Sequence, residues 1–404
     1  MYRHAALLCL LLLLAWSFSA ARAGKTQIAG EMGLEARLFR DSPADSRQKG
    51  DNLSLYLKPE FYRKFSKSWS VTFRPFIRLD QHDKQRSHRD IRELMFHKVA
   101  KTWELKLGIS KVFWGVTETQ HLVDIINQTD AVEAPDGEEK LGQPMLNLIL
   151  KRKWGTTSLF VLPYFRERTF PGYRGRLRTI PLVDTTRPLY ESKDGQNNID
   201  YAVRWFKTIG PWDIGLSHFN GTSRIPDFVA GTNASGEAVL IPFYKQMNQT
   251  GLDLQLTKGS WLWKLEVIHR RDKGSTYAVT PYTALTGGFE YTRTGVFKTR
   301  ADLGLLVEYL YDDRDDPTKT PFDSDVMFGA RLTFNDVAST QLLGGIVLDT
   351  GTSERAYFVE FSRRIGQSYK LAVEARISSN AGPASPLYSL RNDDMLQIEF
   401  IKYF

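Results

Sequence analysis

Cysteine is almost missing from this chain of 404 residues: the single one, Cys9, lies in the apolar stretch near the start. A disulfide framework and a thiolate metal site are therefore excluded. Long hydrophobic runs are missing too. Past residue 23 nothing approaches the ~20 consecutive apolar residues of a membrane helix. Charge of one sign does not dominate either. The net charge is +8, and setting aside Arg3 and Arg22 leaves +6, a mild bias that carries no nucleic-acid signature. There is no Pro/Ser linker and no internal repeat that would mark a second domain. The mean hydropathy of −0.34 suits a soluble protein. It suits equally a transmembrane barrel, in which alternate wall residues face water.

What is present starts with an export signal. Arg3 precedes an apolar core from Ala5 to Trp16, and Ala21-Arg-Ala23 forms an A-x-A cleavage site before Gly24. Residues 1–23 are expected to be a signal peptide and 24–404 one exported domain. Strict apolar/polar alternation then recurs to the end of the chain. Trp69, Val71, Phe73, Ile77 and Leu79 oppose Ser70, Thr72, Arg74 and Arg78; Leu303, Leu305, Val307 and Tyr309 oppose Asp302 and Glu308. Runs of about 9–11 residues with period two have the length of a tilted membrane strand. Between them, short turns alternate with longer loops in unbroken phase, which joins eighteen strands. The predicted fold is all-β, an antiparallel transmembrane β-barrel of about 18 strands. Sixteen is the alternative, because 88–99 and 281–294 alternate poorly. Tryptophans in or beside five short turns, Trp69, Trp103, Trp154, Trp212 and Trp261, fit an interfacial girdle at one rim.

The last residues, Asp394-Met-Leu-Gln-Ile-Glu-Phe-Ile-Lys-Tyr-Phe404, place Leu396, Ile398, Phe400 and Phe404 on one side of a strand. That ending resembles the closing strand of bacterial outer-membrane barrels, although Lys402 stands where the pattern usually has an apolar residue. The resemblance implies a Gram-negative outer-membrane location, contact with lipid and lipopolysaccharide, and recognition of the Phe404 strand by the insertion machinery. A second string, Trp114-Gly115-x-Thr117-Glu118 followed by Asp124-Ile-x-Asn127-x-x-Asp130, resembles porin-like outer-membrane proteins distantly similar to phosphate-selective porin and alginate-export barrels. It implies a channel or exporter whose long third loop folds into the lumen.

Loop 113–141 is acidic, with Glu118, Asp124 and Asp130 as candidate constriction residues. Loop 166–197 is basic, with Arg166, Arg168, Arg174, Arg176 and Arg178. Arginines at a constriction suit anions, because their fixed donors replace lost hydration. The polar parity of the strands gives the pore-lining residues: Arg74, Arg78, Lys106, Glu104, Lys264, Glu266, Asp302, Glu308, Arg331, Lys370, Glu374 and Arg376. Their signs balance, so any charge preference has to come from loops. No catalytic constellation is readable, and a non-enzyme is expected. His121 and Asp124 could pair, but no nucleophile accompanies them. The acidic run Asp312–Asp316 matches no calcium-loop spacing, and neither metal nor cofactor is expected. The function expected is passive diffusion of small hydrophilic solutes with an anion preference set by the arginine-rich loop. A polymer-export duct and a plugged structural or adhesive barrel stand as alternatives. A homo-oligomer is compatible with the sequence and not required by it.

Overall fold

The computed structural model describes residues 26–134, 136–274, 281–314, 320 and 322–404. The expected signal segment 1–23 and the acidic pair Asp315 and Asp316 lie outside the described residues. Eighteen antiparallel strands, from Thr26–Phe39 to Met395–Tyr403, form one sheet. The first and last strands pair from Glu31 opposite Tyr403 to Phe39 opposite Met395, so the sheet closes on itself and leaves no edge. Gly30 and Phe404 exchange both backbone hydrogen bonds, each 3.0 Å long. A Cβ on Gly30 would stand 2.7 Å from the tip of the Phe404 ring, so only glycine leaves the terminal aromatic its place.

The strand count is eighteen and not sixteen, and turns and loops keep the expected phase. Both doubtful segments are strands, for different reasons. In Arg89–Val99 the pairing with Trp69–Asp80 shifts between Arg74 and Pro75, so Arg92 has no register partner. Proline cannot donate to a ladder, and a bulge beside it turns two successive polar residues, Arg92 and Glu93, inward. In Tyr282–Arg293 the alternation is intact but blurred by small residues, Ala284, Gly287 and Gly288. A Cβ on Gly288 would come within 1.9 Å of the Val307 carbonyl oxygen.

Outside, the apolar parity is bare: Leu107, Leu216, Leu305, Phe328 and Phe400 are 44–51% exposed. So continuous an apolar belt is the face of a barrel that meets hydrocarbon. Trp69, Trp103, Trp212 and Trp261 each begin a strand directly after a short turn, and Trp154 sits within one, which sets all five at a single rim.

Inside, the wall is not uniformly polar. Met95, Met145, Phe160, Leu162, Phe219, Met247 and Ile268 face inward from neighbouring strands. They pack with Trp114, Val123, Ile125 and Ile126 of loop 111–142. At the level of the loop that sector of the lumen is a hydrophobic core, while Lys106 and Lys264 face inward from the same stretch of wall nearer the short turns. A second apolar cluster of Leu306, Leu310, Met327, Leu343 and Val347 lies on the strands between 302 and 349. At the end carrying the long loops, Leu182–Val183, Leu189–Tyr190, Asp227–Thr232 and Ala238–Tyr244 make a second small sheet. The sequence reading missed it because two of its strands have only two residues.

Candidate functional site

Loop 111–142 leaves the wall after Ser110 and returns at Gln143, and its course is fixed by carboxylates on distant strands. Glu266 accepts from the backbone of Val116 (2.6 Å), Thr117 (3.1 Å) and Val123 (3.2 Å), and from the Thr117 hydroxyl (2.8 Å). Glu308 accepts from the backbone of Glu118 (2.7 Å) and Thr119 (2.9 Å), and from the Thr119 hydroxyl (2.7 Å). Both carboxylates are fully buried. An irregular backbone taken from water needs acceptors for its N–H groups, and an ionised carboxylate serves several at once. Gly115 takes φ +146, and a Cβ there would lie 2.8 Å from His121 Nδ1 and 3.1 Å from Glu266 Oε1.

His121 stands between Glu138 (3.2 Å) and Glu266 (3.8 Å) and does not pair with Asp124 through its ring, as the sequence had suggested. Burial opposes its charge, but the two carboxylates outweigh that and push its pKa up to about 10. Asp124 instead meets Lys140 at 3.3 Å, and burial raises its carboxyl pKa despite that ammonium.

The far side of the loop is held by a buried charge network. Arg78 donates to Glu133 of the loop at 2.8 Å and to Glu35 of the first strand at 3.0 Å. Arg86 reaches Glu35 at 2.7 Å, and Arg37 donates to the Glu133 carbonyl at 2.5 Å. Asp130 takes Arg92 at 2.5 Å, His88 at 3.1 Å and the Thr169 hydroxyl at 2.7 Å. Burial alone would raise the Asp130 pKa, yet these donors hold it well below the usual carboxylate range. His88, Asp130 and Glu133 offer ligand atoms within 4.8 Å of one another. Arg92 and Arg78 already occupy those carboxylates, so the cluster fits a structural ion network better than a metal.

The five arginines of the next loop do not act together. Arg166 is drawn to Asp90 at 2.7 Å. Arg176 pairs with Asp393 at 2.6 Å and Arg178 with Asp45 at 2.9 Å, tying this loop to two others. The Arg174 side chain is exposed at the outer cleft. Among the described residues Arg168 has no acidic partner, and it borders a cavity of about 160 Å³ with Arg178 and Thr179. The three side chains carry Nε, Nε and Oγ1 atoms that are buried without a hydrogen bond.

The expected wall residues face inward in different company. Arg74 bridges Glu60 and Glu93, Glu104 meets His97 and Lys151, and Asp302 accepts from two short turns, at Gly295 and at Asn335. Lys106 lies in register between His97 and Asn147. Arg331 (2.7 Å) and Lys264 (3.8 Å) converge on Glu118 of the loop. Arg376 binds Glu374 and reaches Asp136 of the loop at 2.7 Å and Glu360 at 3.6 Å.

Beside the loop a cavity of about 600 Å³ remains. Residues 117–121 and 136–138 form one side of it, and Val347, Phe358, Glu360 and Arg376 the other. A second cavity of about 220 Å³ shares Leu343, Glu360 and Glu374 with it and ends at Lys370 and Gln341, beside the short turns. Together they follow one sector of the wall from outer loops to inner rim. None of the five loop arginines lines either. Glu360 does, and the sequence reading passed over it. Phe358, Glu360 and Ser362 share its parity, so the alternation of Arg355–Ile365 was the signal.

Neither a family model nor a curated protein matches this chain. Solved structures do resemble it in fold. A BenF-like porin from Pseudomonas fluorescens Pf-5 superposes with a TM-score of 0.55 at 11% identity, covering 94% of this chain and 97% of the porin. Pseudomonas aeruginosa OpdO gives 0.53 at 10% identity, covering 93% and 96%. Pseudomonas aeruginosa OccK11 gives 0.53 at 11% identity, covering 94% of each chain. The chain shares the closed eighteen-stranded fold of outer-membrane porins.

Proposed function

We propose that this protein is an outer-membrane channel for passive diffusion of small hydrophilic solutes. The observation that carries the reading is the pair of adjoining cavities running between an inward-folded loop and one sector of a closed barrel, where charged side chains alternate with apolar Leu343, Val347 and Phe358. A bare apolar belt outside and a track lined by charged side chains inside are the two surfaces a porin needs. Barrels of this size leave room for solute where eight-stranded ones are filled by side chains. The loop reduces that room to a track along residues 341–395, which favours small solutes over polymer strands and so disfavours an export duct. The work assigned to the barrel is permeation, with no catalytic step.

An anion preference through the arginine-rich loop would have to come from Arg168 and Arg174, because carboxylates hold Arg166, Arg176 and Arg178. Both sit outside the track, so their influence would be a field at its entrance. Liposome swelling with neutral sugars of graded size tests the channel reading. Small sugars should enter and larger ones should not; vesicles impermeable to every size would return the plugged barrel as the better account.

A further inference from the structure

We infer that the channel discriminates by charge in favour of cations, through carboxylates that outnumber bases along its track. The inference rests on the reading of the barrel as a conducting channel and gives that channel a solute class: inorganic cations and solutes carrying an ammonium group. Eight carboxylates line the two adjoining cavities, against Arg331, Lys370, Arg376 and His121. Arg176, from outside the cavities, neutralises Asp393, which leaves seven acids, and the bases on the track are shared or already engaged. One guanidinium, Arg376, serves Glu374, Asp136 and Glu360 together. His121 is held between two carboxylates, and Arg331 is held at 2.7 Å by Glu118.

Glu360 is only loosely engaged. Its nearest base is 3.6 Å away, its side chain is 47% exposed, and it borders both cavities. A carboxylate so placed meets every ion that passes, and the apolar residues around it, Leu343, Val347 and Phe358, restrict the water that would screen it. The geometry thus reverses the sign that the arginine-rich loop suggests in sequence. Carboxylates hold Arg166, Arg176 and Arg178, and Arg168 and Arg174 lie outside the track, while the charged residues left facing the track are mainly acidic.

The test is the zero-current potential of the purified full-length mature protein in planar bilayers under a potassium chloride gradient. The wild type should be more permeable to potassium than to chloride. Glu360→Gln should lower that ratio roughly twofold, the combined effect on potassium and chloride of one unit charge about 8 Å away once salt screens it. Glu360→Lys should lower it further, and both variants should keep the heat-modifiable gel migration of a folded barrel. A chloride-preferring wild type, or an unchanged ratio in both folded variants, overturns the inference and leaves the channel reading intact. Absence of any conductance overturns the channel reading and the inference with it.

Discussion

At the scale of single residues, the lumen is organised by side chains that serve the loop before they serve solute. Arg78 is the clearest case, since it joins two buried carboxylates, Glu35 and Glu133, that belong to the wall and to the loop. Removing one member of a buried ion network leaves charge without compensation and costs about 3–5 kcal/mol. Arg78→Ala should therefore lower the unfolding midpoint in detergent by that equivalent, while Arg74→Ala, whose side chain is half exposed, should barely change it. Equal effects of the two substitutions would show that the Arg78 network does not hold the loop. His121 adds a pH dependence. Its folded pKa is raised to about 10, so its contribution is complete below about pH 6.5, the unfolded value, and fades as pH climbs through 10. Channel conductance should become noisier or larger above that pH as the Glu138–His121–Glu266 clamp releases. His121→Gln should show the altered conductance already at neutral pH and no further alkaline step.

At the scale of elements, the wall was legible and the interior only in part. Alternation, turn phase and the terminal aromatic strand carry the eighteen strands because each is a local pattern imposed by lipid on one face. The reading faltered at Arg92–Glu93, where a bulge opposite Pro75 breaks the period, and at Gly287–Gly288, where there is no side chain to alternate. It also took every inward residue for pore lining. Phe160, Phe219 and Met247 look like imperfections of a polar parity until loop 111–142 is seen packed on them. No local pattern records that contact, since the partners lie far apart in sequence. For the same reason Arg176 and Arg178 read as free pore charges, when Asp393 and Asp45 claim them from distant loops. The loop is thus the element expected to set the bore. Excising residues 117–139 and bridging the ends with a short Gly/Ser linker should raise single-channel conductance several-fold and admit larger sugars. An unchanged conductance would place the narrowest point elsewhere.

At the scale of the whole molecule, the barrel is divided at the level of the loop: a packed sector behind it and an open track before it. The division follows from where the apolar inward residues fall, because hydrophobic contacts with the loop exclude water from the wall on that side. It makes the barrel's circumference inequivalent, a property that symmetric lining by alternating charges would not produce. The near absence of cysteine makes this accessible to experiment, since Cys9 lies in the expected signal segment and a single introduced thiol would then be the only one. Glu360→Cys places a thiol on the track, and Asn147→Cys places one on the inner face of the packed sector, where the native side chain is 4% exposed. A charged methanethiosulfonate reagent added to the open channel should react with the first within seconds to minutes and reduce its current. The second should stay unmodified until the protein is unfolded. Equal labelling of both positions would mean that the loop leaves the wall in the conducting state, and this division would then describe only a closed form of the channel.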